Sequence, residues 1–460
     1  MVILLKIVQV ILALSLLVVI HEFGHYSFAK LFKTRVEKFY LFFNPKISLV
    51  KFKKFDGRVH CKFFSSNEDE EWNAHPENTE YGIGWVPLGG YCKIAGMIDE
   101  SMDKEAMAQP PKPYEFRTKK AWQRFFIMFG GVFFNLLLAI VLYAAVLHTW
   151  GEEYLRNDDA VYGIAVNELS HEMGFRTGDR ILAFDGVPTD DFSQLQVDML
   201  RSQATEATVL RGGDTLLLSL DPAYIPAALN SPGMFSLAFP FVVASVPEES
   251  VNYGADLAPG DAFTAIDGKE MFITQEIQSE LLLHKDSEIT ATALREGATV
   301  EIPLKVDTAG RIGVQLEGDL TKFFKVTSEK YSLAGCIPAG ARKAYNTVAN
   351  YVKELGLIFS PKTEAYKSVG SFIAIGRIFP DSWDWYRFWS LCALLSIMLG
   401  VLNILPIPAL DGGHILFLLI EMLTGHKFSD KAMEVAENIG MILLLMLMVL
   451  AFGNDIRSLF

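Results

Sequence analysis

Cysteine is nearly absent from this sequence: four residues in 460, at Cys61, Cys92, Cys336 and Cys392. They form no C-x-x-C pair and no framework spacing, and Cys392 sits inside an apolar run. Disulfides are therefore not expected to carry the fold. Positive charge is also in deficit, with 41 Lys and Arg against 54 Asp and Glu, a net charge of −13. No basic block is dense enough to bind phosphates, which argues against a nucleic-acid partner. The first apolar run is longer than a signal-peptide core and lacks an A-x-A cleavage site after it, so it reads as an uncleaved membrane helix. Apolar residues are what the chain has in quantity: 51% of it, with a mean hydropathy of +0.25. That is apolar for a soluble protein and polar for a pure membrane bundle, and it fits membrane spans combined with a soluble insert.

Four spans are expected, at about Val2–Ala29, Phe125–Leu147, Phe388–Leu405 and Ile439–Phe452. The last is short for a hydrocarbon core of ~30 Å, which takes about 20 residues. It extends back into Met433–Glu437 or sits in a thinned region. His414–Leu423 is apolar but shorter, and reads as an interfacial or buried helix. Lys30, Lys33, Arg35 and Lys38 follow the first span, and Arg117, Lys119, Lys120 and Arg124 precede the second. By the positive-inside rule the segment between them is cytoplasmic. The 150–387 insert and both termini then lie outside.

Between the first two spans, Val36–Phe52 and Gly57–Phe64 read as strands with turns at Asn44-Pro45 and Asp56-Gly57. Tyr81–Met97 is apolar, aromatic and glycine-rich, with Gly89 and Gly90 at its centre. It is either a buried turn region or a β element that dips into the membrane, where an exposed edge could pair with an extended peptide. Glu100–Pro113 reads as a loop.

The outer insert repeats itself. Gly178–Gly186 (GDRILAFDG) and Gly260–Gly268 (GDAFTAIDG) share one pattern, and Leu210–Thr215 (LRGGDT) matches Leu294–Thr299 (LREGAT). Each copy reads as strand, turn, strand, helix and late hairpin, so two copies of one α/β module are expected. The motif resembles the PDZ domains of bacterial membrane proteases, which implies grooves for peptide ends or strands. The other reading, which weighs less, is a pair of rigid spacers with unused grooves.

The first span ends in HEFGH, His21 to His25. Ionisable groups in a span are costly, and they usually face a protein interior or a wet cavity. Residues i and i+4 share a helix face, so His21 and His25 can grip one metal ion, with Glu22 beside them to accept a proton from water. Catalytic zinc usually takes a third protein ligand. Near the end of the third span, NILPIPALDGGH (Asn403–His414) offers two candidates, Asp411 and then His414. Pro406 and Pro408 must break the helix there. Asn403 then either caps a helix end or borders the active cavity.

HEFGH, FGGVFFN (Phe129–Asn135) and NILPIPALDGG together resemble the site-2 proteases, intramembrane zinc metalloproteases. With two PDZ-like modules outside, the resemblance is to the regulator-of-sigma-E type, over essentially the whole chain. It implies a polytopic helical membrane protein of about four spans, with a membrane-associated β element and a tandem PDZ-like insert. The implied division is 1–30 (first helix with HExxH), 31–123 (cytoplasmic, reentrant β region), 124–150 (second helix), 151–224 and 225–320 (PDZ-like modules), 321–387 (helical linker) and 388–460 (last helices). It further implies Zn2+ on His21, His25 and Asp411, with Glu22 as general base. Asn403, Pro406, Pro408 and the β element around Gly89 and Gly90 would contact substrate. The task would be cleavage of a transmembrane segment in a single-span protein, an anti-sigma factor or a leftover signal peptide, in a bacterial inner membrane. The modules would be periplasmic and the site would face the cytoplasmic side. The family often has a Gly-Pro step where this chain has Gly370-Ser371, so substrate contacts are not carried through that region. Two other classes stay open: a membrane scaffold with inert zinc, and an anchored zinc peptidase acting on soluble substrates.

Overall fold

The computed structural model describes residues 2–66, 70–87, 89–97, 109–361 and 363–457; the acidic 99–107 stretch lies outside them. The chain divides into two compact units. One comprises Met1–Gly151, Lys330–Gly356 and Val369–Phe460, the other Glu152–Glu329 and Leu357–Ser368.

The first unit opens with helix α1, Val2–Leu31. Thirty residues at ~1.5 Å each exceed the ~30 Å of a hydrocarbon core. Its buried residues are Gln9, Ala13, Leu17, His21, Gly24, His25 and Ala29. They recur every three or four positions and so form a single stripe. Ile3, Leu4, Ile7 and Leu12 on the remaining surface are exposed, as lipid contact requires.

Five strands follow: β1 (Val36–Leu41), β2 (Ile47–Phe55), β3 (Arg58–Ser66), β4 (Glu80–Ile83) and β5 (Tyr91–Ile94). The Asp56-Gly57 turn joins β2 to β3, with both residues at positive φ, as a tight hairpin needs. The Asn44-Pro45 turn does not close a hairpin. The sheet order is β3-β2-β4-β1-β5, so β4 inserts between β1 and β2, parallel to the first and antiparallel to the second. Tyr40 binds this arrangement: its hydroxyl donates to Glu80 at 2.5 Å, and its ring stacks on Tyr91. Among the described residues β5 pairs only with β1, and its other edge carries no strand. Helix α2, Ala121–Thr149, packs along the buried stripe of α1. A Cβ on Gly24 would stand 2.2 Å from the Gly130 carbonyl oxygen, so the two backbones touch there.

The second unit begins at β6 (Glu152–Leu155), which pairs with β19 (Val326–Glu329) at its far end. Between them stand two similar modules. In the first, β7 (Ile164–Val166), β8 (Arg180–Phe184), β9 (Val187–Pro188), helix α3 (Leu195–Ser202) and the hairpin β10 (Glu206–Arg211) and β11 (Asp214–Ser219) are followed by β12 (Phe235–Leu237), which returns to pair with β7. Its core takes in Ile225, Ala228, Met234 and Phe235. The second repeats the order with β13 (Val243–Ser245), β14 (Ala262–Ile266), β15 (Lys269–Glu270), α4 (Thr274–Leu281), β16 (Glu288–Arg295), β17 (Ala298–Lys305) and β18 (Gln315–Leu316). The repeated motifs meet each other in space. Asp179 is fully buried and takes two 2.7 Å bonds from the Arg211 guanidinium. Asp261, equally buried, takes bonds of 2.7 and 2.8 Å from Arg295. The bidentate pairing offsets the desolvation of each carboxylate. In the second module the Arg295 bond holds the Asp261 carboxyl below its usual pKa. Asp185 and Asp267 adopt positive φ and, with Gly186 and Gly268, turn the chain between strands.

Helix α5 (Cys336–Phe359) leads back, and α6 (Phe372–Ile378) begins at Ser371. Ser371 caps α6 through Ile373 N–H. Its own N–H donates to Asp455 at 2.9 Å, and its hydroxyl bonds the same carboxylate. Helix α7 (Trp385–Ile404) stops where Leu405 turns extended before Pro406. Helix α8 (Asp411–Thr424) is the short apolar helix expected after it. The last helix, α9, runs Asp430–Arg457, so the final span does extend back through Met433–Glu437. Among the described residues, Val2–Leu31, Ala121–Thr149, Trp385–Ile404 and Lys431–Arg457 are long and apolar enough to cross a membrane.

Candidate metal centre

Three donor atoms converge where α1, α2 and the start of α8 meet. His21 Nε2 lies 3.1 Å and His25 Nε2 3.3 Å from Asp411 Oδ2, and the two Nε2 atoms are 3.3 Å apart. Ligands held about 2.0–2.1 Å from a tetrahedral zinc stand roughly 3.3–3.4 Å from one another. The triangle has the dimensions of one face of that tetrahedron. Asp411 Oδ2 is buried and receives no hydrogen bond from the described residues. His25 Nδ1 faces the Ile127 carbonyl oxygen at 2.9 Å. A carbonyl only accepts, so the proton sits on Nδ1 and the Nε2 lone pair is free to bind a cation. The residues therefore fit a zinc ion with three protein ligands.

Local sequence explains each placement. The i, i+4 spacing puts both imidazoles on the buried stripe of α1. Asp411 opens α8, where the helix N-terminus favours negative charge. Gly412 and Gly413 let the preceding turn fold back onto α8: a Cβ on Gly412 would meet Leu405 O at 2.0 Å, and one on Gly413 would meet the Pro408 Cα at 2.6 Å. Ala409, two residues before Asp411, is held at φ 77°, a region that disfavours side chains. Gly131 faces the imidazoles. A Cβ there would lie 2.5 Å from His21 Cε1 and 2.6 Å from His25 Nε2. Gly131→Ala, a better helix former, is expected to keep the fold and weaken zinc binding about tenfold or more, by analogy with other losses beside a metal ligand. Chelator competition on the purified variant measures it, and unchanged affinity would contradict this packing.

A cavity of about 510 Å³ opens beside the donors, lined by His21, Glu22, His25, Asp411 and all four residues of β5. The Cys92 backbone N–H, on β5, hydrogen-bonds the Glu22 carboxylate. The open side of β5 thus faces the metal-binding residues. Gly90 also lines the cavity, and a Cβ on it would strike Tyr40 O at 2.6 Å and Val18 Cγ1 at 2.7 Å. Gly89 packs instead under the Phe43 ring. Asn403 Nδ2 comes within 3.4 Å of His21 Nε2. Pro406 and Pro408 lie in the turn from α7 to α8; the Pro408 carbonyl meets α9 closely at Gly440. His414 lies outside the donor triangle and bonds Glu437 of α9 at 2.9 Å. Asn135, which closes the FGGVFFN motif but was given no role from the sequence, is wholly buried against His21 Nδ1. The signal was there: an amide inside an apolar run, like Asn403.

The family model for peptidase family M50 matches residues 9–61 and 70–447. The chain belongs to peptidase family M50. As an M50 member it is similar over its length to curated bacterial proteins. It is 27% identical over 475 residues to the regulator of sigma-E protease RseP of Escherichia coli, with 98% of each chain covered. It is 28% identical over 471 residues to a Xylella fastidiosa protein named as a candidate zinc metalloprotease, with 97% of each covered. The regulator of sigma E protease of Salmonella typhi gives 26% over 471 residues, with 98% of each covered.

Proposed function

We propose that this M50 peptidase is a zinc enzyme that hydrolyses peptide bonds inside the membrane-spanning segment of single-span proteins. The observation that carries the reading is the donor triangle of His21, His25 and Asp411, held by apolar helices beside the open edge of β5. Zinc, when bound, supplies a Lewis acid that polarises the scissile carbonyl and acidifies water. Glu22 accepts the proton of the attacking water and returns it to the leaving amine nitrogen, while the Cys92 amide orients its carboxylate. A helical substrate hides its carbonyls, so it must be drawn out straight. The β5 edge offers main-chain hydrogen bonds to such a strand, and Gly90, where a side chain would strike Tyr40 and Val18, lets the chain enter β5 close against β1 and α1. A structural zinc closes four protein positions, whereas three donors converge among the described residues, which favours catalysis over an inert site.

The two modules of the insert read as PDZ-like, able to hold a peptide strand and to restrain large substrates. The first runs through β12 (Phe235–Leu237), which pairs back onto β7, rather than ending at residue 224, and the second follows it. The chain then sits multi-pass in a bacterial inner membrane, with modules periplasmic and site toward the cytoplasm. Anti-sigma factors and leftover signal peptides are the substrate classes. Co-expression with a tagged single-span protein tests the reading: a cut that depends on Glu22 supports it, and cleavage surviving Glu22→Gln overturns it.

Asn403 carries a donor and an acceptor for the unwound segment. Asn403→Leu is expected to keep zinc and slow cleavage of a stably helical substrate roughly tenfold, the equivalent of about 1.4 kcal/mol for one unpaired group. A substrate with Gly or Pro near the cut should suffer less. Equal loss on both substrates would contradict a role in unwinding.

A further inference from the structure

The two imidazoles of the metal centre solve one problem in different ways. A neutral imidazole carries one proton, so binding a cation through Nε2 fixes it on Nδ1, where it needs an acceptor. His25 has the Ile127 carbonyl oxygen at 2.9 Å. His21 Nδ1 instead meets the side-chain amide of Asn135 in α2, with Nδ2 at 3.1 Å. Asn135 is fully buried, and its Oδ1 has no hydrogen-bond partner among the described residues. The two ends of a primary amide exchange by a half-turn of its terminal torsion. With Nδ2 toward His21, the amide donates to Nδ1, the imidazole proton moves to Nε2, and His21 leaves the ligand set. With Oδ1 toward His21, the amide accepts from Nδ1–H, the orphaned oxygen is satisfied, and the Nε2 lone pair points at Asp411 Oδ2 and His25 Nε2.

We propose that Asn135 is a positioning residue of the metal centre: its Oδ1 accepts the Nδ1 proton of His21 and so holds that imidazole as an Nε2 ligand. The proposal rests on the reading of His21, His25 and Asp411 as metal ligands. The backbone around Asn135 is fixed separately, since Ser396 Oγ of α7 donates to the Asn135 main-chain oxygen at 2.8 Å. A side-chain substitution leaves that bond in place. Acceptors behind metal-bound histidines typically matter 10–100-fold in metal affinity.

The test is the zinc dissociation constant of the purified full-length chain, by competition with a chromogenic chelator. Asn135→Leu, similar in size without an acceptor, should bind zinc about 10–100-fold more weakly. Asn135→Asp keeps an acceptor oxygen at the same place and should bind at least as tightly as the parent. His21→Ala reports on the centre itself: parent-like affinity there would overturn the ligand assignment, not the role of Asn135. Parent-like affinity in Asn135→Leu, with His21→Ala impaired, overturns the proposal and leaves the metal centre standing. Equal weakening in the Leu and Asp variants also overturns it, because a packing role is not rescued by an acceptor. If Asn135→Leu does not fold, Asn135→Asp decides alone: retained affinity supports the proposal and a tenfold loss refutes it.

Discussion

Asp411→Ala protein is expected to purify with a small fraction of the roughly one zinc per chain held by the parent, and with no detectable peptidase activity. Two imidazoles remain in that variant, one donor short of the three that catalytic zinc sites use. Asp411 is the only carboxylate in the donor triangle among the described residues, and it stands within 3.3 Å of both Nε2 atoms. His414→Ala is the matched comparison. Its imidazole bonds Glu437 across α8 and α9, so its removal should disturb helix packing and leave zinc in place. Metal analysis of the two purified variants separates them. Zinc retained in Asp411→Ala and lost in His414→Ala would move the third ligand to His414.

Glu22→Gln should do the opposite of Asp411→Ala: keep zinc and lose turnover by about 10²–10⁴-fold. Glutamine fills the same volume, and its amide oxygen can still accept the Cys92 N–H. It cannot take a proton from water at neutral pH. Single-turnover cleavage together with metal content distinguishes this from a folding defect. A variant that loses both would mean that Glu22 supports the centre structurally.

Local pattern made much of this molecule readable. HEFGH places two imidazoles on one helix face by spacing alone, and the apolar runs announce the spans. The repeated G-D and L-R motifs were legible as a duplication. What they do, Asp179 to Arg211 and Asp261 to Arg295, needed coordinates, because each partner is more than thirty residues from its Asp. Strand order was not legible. β1 and β2 look like neighbours with a turn between them, yet β4 separates them, and nothing in a strand's own residues names a distant partner. The choice between Asp411 and His414 was open for the same reason. It depends on where α9 brings Glu437. Asn135 was legible only as the end of FGGVFFN, because one amide in an apolar span says only that it has a partner, not which one.

The most direct test of the account is the position of the cut. Purified protein and a single-span substrate are placed in the same lipid vesicles, and the fragments are sized by mass spectrometry. The account predicts a single zinc-dependent cut within the substrate's apolar segment, absent when the protein carries Glu22→Gln. A cut confined to the soluble part of the substrate, or one that persists in the Glu22→Gln protein, would contradict it.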